Sequence, residues 1–453
     1  MAESTNTIQK EIQDREAKEK RELRRKRRRR NQILAILTLL LFVCLIVAII
    51  GTGVWYIMHR GAGKTAGGGA STTQETTIDN LFESEDEIVM PEETNTEPTL
   101  TPEQQLDAIL DEAFISQMPL EDKVAGLFIV TPESITGVNK AVKAGDGTKD
   151  ALNKYAVGGI VYASQNMQDA AQFTEMVSNT TLYSRYALFT CVAEEGGSST
   201  SLEKAGLADK TDSEQAMGTG ADAAKAYEAS GKIADSMLTY GLNLNFAPVA
   251  DLATVQDSYL KDASYGSDAA LAASFVTSAV QGMQEKGISS CLKYFPGAAD
   301  MKEDPAKGMA SSERTAEQLA AEEFTVFKAG IDAGADMVMV GHVAVPALTG
   351  DNTPCSISSA VITDKLRNEL GFNGVIITDA MNKGAITEYY EADEAAILAL
   401  KAGCDMILCP DDFEKAYNGV LEAVQNGTIS EERINDSLRR IYRIKYASMM
   451  PEE

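Results

Sequence analysis

From residue 102 onward the chain alternates eight times between a short apolar run rich in β-branched residues and a longer amphipathic stretch. The apolar runs are 126–130, 158–162, 187–193, 244–250, 289–295, 335–340, 374–378 and 405–408. Each is strand-length and lacks clean polar alternation, the pattern of a parallel strand covered on both faces. Helical periodicity fills 221–240, 269–286, 316–333, 363–370 and 391–402, and two further helices, 412–425 and 430–447, close the chain. Eight strand–helix units predict an α/β fold, a closed parallel (β/α)8 barrel of the TIM type. A doubly wound open sheet is the alternative, but no Gly-x-Gly-x-x-Gly turn follows a strand.

Upstream of that body the composition changes. Residues 1–31 carry 12 Lys/Arg against 6 Asp/Glu, whereas the rest of the 453-residue chain carries 29 against 61. Residues 32–58 contain no charged side chain, enough for a transmembrane helix with some tilt, and Trp55 and Tyr56 stand at its far end. A cleaved signal peptide would have a much shorter apolar core. The basic run Arg24–Arg30 on the near side places residues 1–31 in the cytoplasm and the acidic body outside, with the protein a single-pass resident of the cell membrane. Residues 59–101 turn Gly-rich and then Ser/Thr/Glu-rich, a composition too polar to order itself, and read as a flexible linker before the barrel domain at 102–449. An acidic body repels phosphate backbones, so no nucleic-acid partner is expected. The basic tail reads as a topology signal touching anionic lipid rather than as a nucleic-acid arm.

Two histidines, His59 and His342, are too few for a His-rich metal cluster, and no Cys-x-x-Cys appears. Five cysteines, 191, 291, 355, 404 and 409, fall in the outer portion; an odd number argues against a complete disulfide framework and for small buried core residues. In a parallel barrel the chemistry gathers at the C-terminal ends of the strands. Those ends carry Glu194 and Glu195, then Asp251, Lys293, His342 and Asp379. Carboxylates, one lysine and one histidine converging on one mouth suit a polyhydroxylated ligand and glycoside hydrolysis. Glu195, Asp251, Lys293 and His342 are the candidates for binding it, though an Asp ending a strand is as readily the N-cap of the next helix.

The wording of these segments is more specific than their placement. It includes Met118-Pro-Leu-Glu-Asp-Lys-Val-Ala-Gly-Leu-Phe128, Val157-Gly-Gly-Ile160, Glu195-Gly-Gly197, Asn245-Phe-Ala-Pro-Val-Ala-Asp251 and Lys293-Tyr-Phe-Pro-Gly297. Further on stand Gly341-His-Val-Ala-Val-Pro346, Leu370-Gly-Phe-Asn-Gly-Val-Ile-Ile-Thr-Asp-Ala-Met381 and Asn426-Gly-Thr-Ile-Ser-Glu-Glu-Arg433. Over nearly all of 102–447 the chain resembles glycoside hydrolase family 3 in its single-barrel form, the bacterial β-N-acetylhexosaminidases acting on cell-wall amino sugars. The resemblance implies a (β/α)8 barrel, retaining hydrolysis of β-linked N-acetylhexosaminides, a peptidoglycan-type glycan as substrate, and no cofactor or metal. It makes Asp379 the nucleophile, a role that suits a carboxylate on a rigid strand end.

The departures from the family pattern fall in the segments around the ends of the third, fourth and fifth strands. Where the family has a His acting as acid/base two residues after an orienting Asp, this chain has Asp304-Pro305-Ala306; Asp304 remains and Ala306 cannot move a proton. Tyr294 and Ala298 replace two further histidines, and Ala193, Ser198 and Ala263 stand where an Asp and two Arg that bind substrate are expected. Glu194, Glu195 and His342 are the candidates for a substitute acid. Two functional classes follow: a membrane-anchored hydrolase with a substituted acid, or a non-catalytic descendant that binds a glycan or a protein through the same mouth.

Overall fold

In the computed structural model the described residues are Leu106, 108–111 and 114–447. The basic tail, the apolar segment 32–58 and the linker lie outside them; among the described residues no helix is long and apolar enough to cross a membrane. The eight expected strands are all present: β1 (Phe128–Val130), β2 (Gly159–Val161), β3 (Phe189–Val192), β4 (Leu244–Asn245), β5 (Ser289–Phe295), β6 (Met337–Val340), β7 (Val375–Ala380) and β8 (Met406–Leu408). They close into a barrel in sequence order. Every neighbouring pair is parallel, and β8 returns to β1 through Phe128 opposite Ile407 and Ile129 opposite Leu408. Side chains of β1, β3, β6 and β8 are buried throughout, because the helices cover one face and the barrel interior the other. Gly158 is required at the foot of β2: a Cβ there would stand 2.1 Å from the Gly126 carbonyl oxygen.

Strand ends differ from expectation for identifiable reasons. The run 244–250 is a regular strand only at Leu244–Asn245 and touches β5 again through an isolated bridge of Val249 to Lys293, since Pro248 has no N–H to give and the Val249 N–H turns to the Glu214 carboxylate at 3.1 Å. In contrast, β7 runs past the expected Thr378 to Ala380, so Asp379 is held inside a strand. The helix expected over 316–333 is two helices, Ala316–Ala321 and Glu323–Asp332. Arg314 donates to Glu322 at 2.6 Å and to the fully buried Glu323 at 2.8 Å, and the backbone breaks at Glu322 to let both carboxylates reach it. The stretch expected over 363–370 starts earlier and is wound more loosely, as a π-helix at Ala360–Glu369 that buries Val361, Ile362 and Leu366.

The end of the barrel opposite the mouth is tied to the last helix, Glu431–Lys445, whose Ile434, Ser437, Leu438, Ile441 and Tyr442 form one buried stripe at helical spacing. Buried Asp405, before β8, accepts from Arg367 at 2.7 Å, Ser437 at 2.9 Å, Arg440 at 3.1 Å and the Ile376 N–H at 2.9 Å. Four of the five outer cysteines, 191, 291, 355 and 404, are buried free thiols, and Cys409 is half-buried.

Candidate active site

At the C-terminal ends of the strands lies a cavity of about 260 Å³, lined by Glu195, Tyr259, Tyr294, His342, Asp379, Lys383 and the Asp304–Ala306 turn. Four sequence candidates, Asp379, Glu195, His342 and Asp304, therefore line one cavity. Asp379 projects from β7 with both carboxylate oxygens engaged. Oδ1 accepts from the Ala380 N–H at 2.7 Å, and Oδ2 takes the Lys383 ammonium at 2.7 Å. Burial would raise the Asp379 carboxyl, but Lys383, His342 and the Ala380 N–H outweigh it and hold the group below the usual carboxylate range. Asp379 is an ionised carboxylate at neutral pH.

His342 follows β6 and is fully enclosed. Its Nε2–H donates to the Ala380 carbonyl at 2.9 Å, which leaves Nδ1 to accept from the Ser356 hydroxyl at 2.7 Å. Burial lowers its basicity, against the pull of Asp379, so the ring is neutral and both nitrogens are occupied. The residue braces the backbone beside Asp379. Glu195, at the end of β3, is buried and ion-paired with Lys293 of β5. Burial lowers the Lys293 ammonium and Glu195 raises it, with a net upward shift, so Lys293 stays charged behind the wall while Glu195 faces the cavity. Glu214, buried near the same lysine, is pushed up by burial and by Glu195.

Two candidates lie elsewhere. Asp251 is 1% exposed and takes the Ala298 N–H with both oxygens at 2.9 and 3.0 Å, so it fixes the loop leaving β5 rather than lining the cavity. Glu194 points away from Glu195. Its Oε1 accepts from the Ser201 and Leu202 N–H groups at 2.5 and 2.6 Å, and it borders a separate cavity with Thr200 and Lys232. Burial raises its carboxyl to about 7.

The loop after β5 folds back over the mouth. Asp304 accepts the Ala306 N–H at 2.9 Å and so caps the Pro305–Lys307 turn. That turn rests on Gly384: a Cβ there would stand 2.8 Å from the Gly308 nitrogen and 3.2 Å from the Ala306 oxygen. Ala306, at the position expected for the acid/base, thereby lies against the segment that carries Lys383. Lys383 and Tyr259 escaped sequence reasoning. The four-residue offset of Lys383 from Asp379 was the available signal, since that spacing brings side chains together wherever the chain turns helically.

The glycosyl hydrolase family 3 N-terminal domain model matches residues 119–444, and the chain belongs to that family. A β-hexosaminidase of Xanthomonas campestris pv. campestris is 32% identical over 270 residues, which cover 57% of this chain and 79% of that protein. A β-hexosaminidase of Stenotrophomonas maltophilia is 30% identical over 284 residues, covering 60% and 82%. Among solved structures, the family 3 β-N-acetylglucosaminidase of Paenibacillus sp. str. FPU-7 superposes with a TM-score of 0.69 at 31% identity, covering 74% of this chain and 64% of that one. The β-N-acetylhexosaminidase of Beutenbergia cavernae gives 0.65 at 25% identity, covering 73% and 99%. The similar proteins named here are glycosidases.

Proposed function

We propose that the chain is a retaining β-N-acetylhexosaminidase working on cell-wall-type glycan outside the membrane, with Asp379 as nucleophile. The observation that carries the reading is an ionised carboxylate held by a strand in a cavity that it shares with Glu195, Tyr259, Tyr294, His342 and Lys383. At about 260 Å³ the cavity lies just below the usual range of roughly 300–1,000 Å³, a size for one sugar ring rather than several. The uncharged segment 32–58 with its basic flank supports anchoring, cytoplasmic N-terminus and external barrel. The linker 59–101, by its composition, would tether the barrel at a reach of roughly 35 Å.

In the first step an Asp379 oxygen attacks the anomeric carbon and the glycosidic oxygen departs; in the second, water displaces Asp379 from the same carbon. Two inversions leave the configuration unchanged. The ¹H NMR spectrum recorded during the first minutes of cleavage of an aryl N-acetyl-β-glucosaminide tests this directly. The β-anomer of the sugar should form first and then mutarotate. First formation of the α-anomer would overturn the retaining mechanism, and no release from any β-hexosaminide would favour the glycan-binding reading.

A further inference from the structure

The double displacement needs a proton donor for the leaving oxygen, and the residues expected to supply one are committed elsewhere. His342 is neutral with both nitrogens bonded, Glu195 is paired with Lys293, Glu194 faces another cavity, and Asp304 caps its own turn. We propose that Lys383 is the acid/base of this site, an inference that rests on the hydrolase reading above. Its ammonium lies 2.7 Å from Asp379 Oδ2, its side chain lines the cavity at 27% exposure, and the residue after it touches Ala306. Asp379 Oδ2 is its one hydrogen-bond acceptor among the described residues, which leaves N–H groups to meet a glycosidic oxygen.

A lysine is ordinarily too weak an acid for this work, and burial and Asp379 act on Lys383 in opposite senses with a net upward shift. The reaction removes the cause of that shift. As an Asp379 oxygen forms its bond to the anomeric carbon, the carboxylate becomes a neutral ester, and the ammonium loses its partner inside a poorly solvated pocket. The bond from the anomeric carbon to the glycosidic oxygen breaks with its electron pair going to oxygen, and the Lys383 proton follows it to give the alcohol. Charge disappears from both residues in one step. Lys383 is then a neutral amine beside the ester. It takes a proton from the incoming water as the hydroxyl oxygen bonds to the anomeric carbon, and Asp379 leaves as carboxylate. The Asp379–Lys383 ion pair is restored, with water the sole co-reactant.

The hydroxyls of Tyr294, Tyr259 and Ser199 also line the cavity, and the aliphatic serine hydroxyl is a far weaker acid than a phenol. Burial raises both phenols, and neither is relieved when Asp379 is consumed to the degree that the directly bonded Lys383 is. The Tyr294 ring lies 5.5 Å from the ammonium groups of both Lys293 and Lys383, a placement that makes it a platform for them.

The test uses the full chain in detergent and compares wild type, Lys383→Ala and Lys383→Arg on a 2,4-dinitrophenyl and a methyl N-acetyl-β-glucosaminide. Arginine keeps the charge beside Asp379 but does not give up its proton. Both variants should lose about 10²–10⁴-fold on the methyl glycoside, which needs protonation. Their dinitrophenyl release should keep a burst and lose far less than the methyl glycoside does, because that leaving group departs as a stable anion and needs no proton. Equal losses on both substrates would make Lys383 a support for Asp379 and overturn the proposal, as would full activity of the variants on the methyl glycoside. Failure of the wild type on the dinitrophenyl substrate would instead refute the hydrolase reading itself.

Discussion

Replacing Lys293 by methionine removes the cation that pairs with Glu195 among the described residues while leaving a side chain of similar length to fill the space. Both partners are buried, at 3% and 8% exposure, so water cannot take over the role of the lost ammonium. Breaking a buried pair by deleting one member costs about 3–5 kcal/mol, chiefly from the charge left behind. For a barrel of roughly 330 residues, an unfolding entropy of about 2.1 cal/mol/K per residue turns this into a fall of about 4–7 °C in Tm. Adding Glu195→Gln to Lys293→Met should recover most of the loss, because no uncompensated charge then remains. Calorimetry of the wild type, both single variants and the double variant checks this. Equal stability of Lys293→Met and wild type, or no recovery in the double variant, would refute the assignment of Lys293 as the counter-charge of Glu195.

Gly384→Ala places a methyl group 2.8 Å from the Gly308 nitrogen, so the Asp304–Gly308 turn must move; KM should rise several-fold with the circular dichroism spectrum unchanged. Burial should keep His342 neutral to lower pH than an exposed imidazole, seen as His342 ring resonances whose midpoint lies below that of the same residue in the unfolded chain. Because the unfolded chain binds that proton and the folded one does not, His342 makes stability fall as pH drops below about 6.5, an effect His342→Gln should remove. On intact cells, external protease should release the barrel by cutting within 59–101, and complete protection would reverse the proposed orientation.

The barrel was legible because its strands are buried on both faces and so read as uninterrupted apolar runs, from Phe128–Val130 to Met406–Leu408. The helix break at Glu322 was not, since the pull comes from Arg314, outside the helical pattern altogether. Within the site, Asp379, Glu195 and His342 were found by asking what stands at strand ends, a rule that barrel geometry supplies. The same rule put Asp251 among the ligand-facing groups, but its carboxylate turns inward to the Ala298 N–H, a partner 47 residues away. Lys383 stands in no strand and in no strong periodicity. Its place beside Asp379 depends on how the chain turns after β7 and on the close approach of the Ala306–Gly308 backbone, neither of which a local pattern encodes. Glu194 and Glu195 are adjacent and chemically alike, yet only one faces the cavity, because successive residues leaving a strand point to opposite sides.

Everything proposed here depends on Asp379 forming a bond to sugar. Incubation with a fluorinated N-acetylhexosaminyl fluoride, whose ring fluorine slows both steps while its good leaving group spares the first, should trap that bond. Intact-mass measurement should show one added glycosyl unit, peptide mapping should place it on Asp379, and Asp379→Ala should remain unlabelled. A trapped sugar on any other residue, or wild-type protein that turns over β-hexosaminides yet never acquires the added mass, would contradict the account.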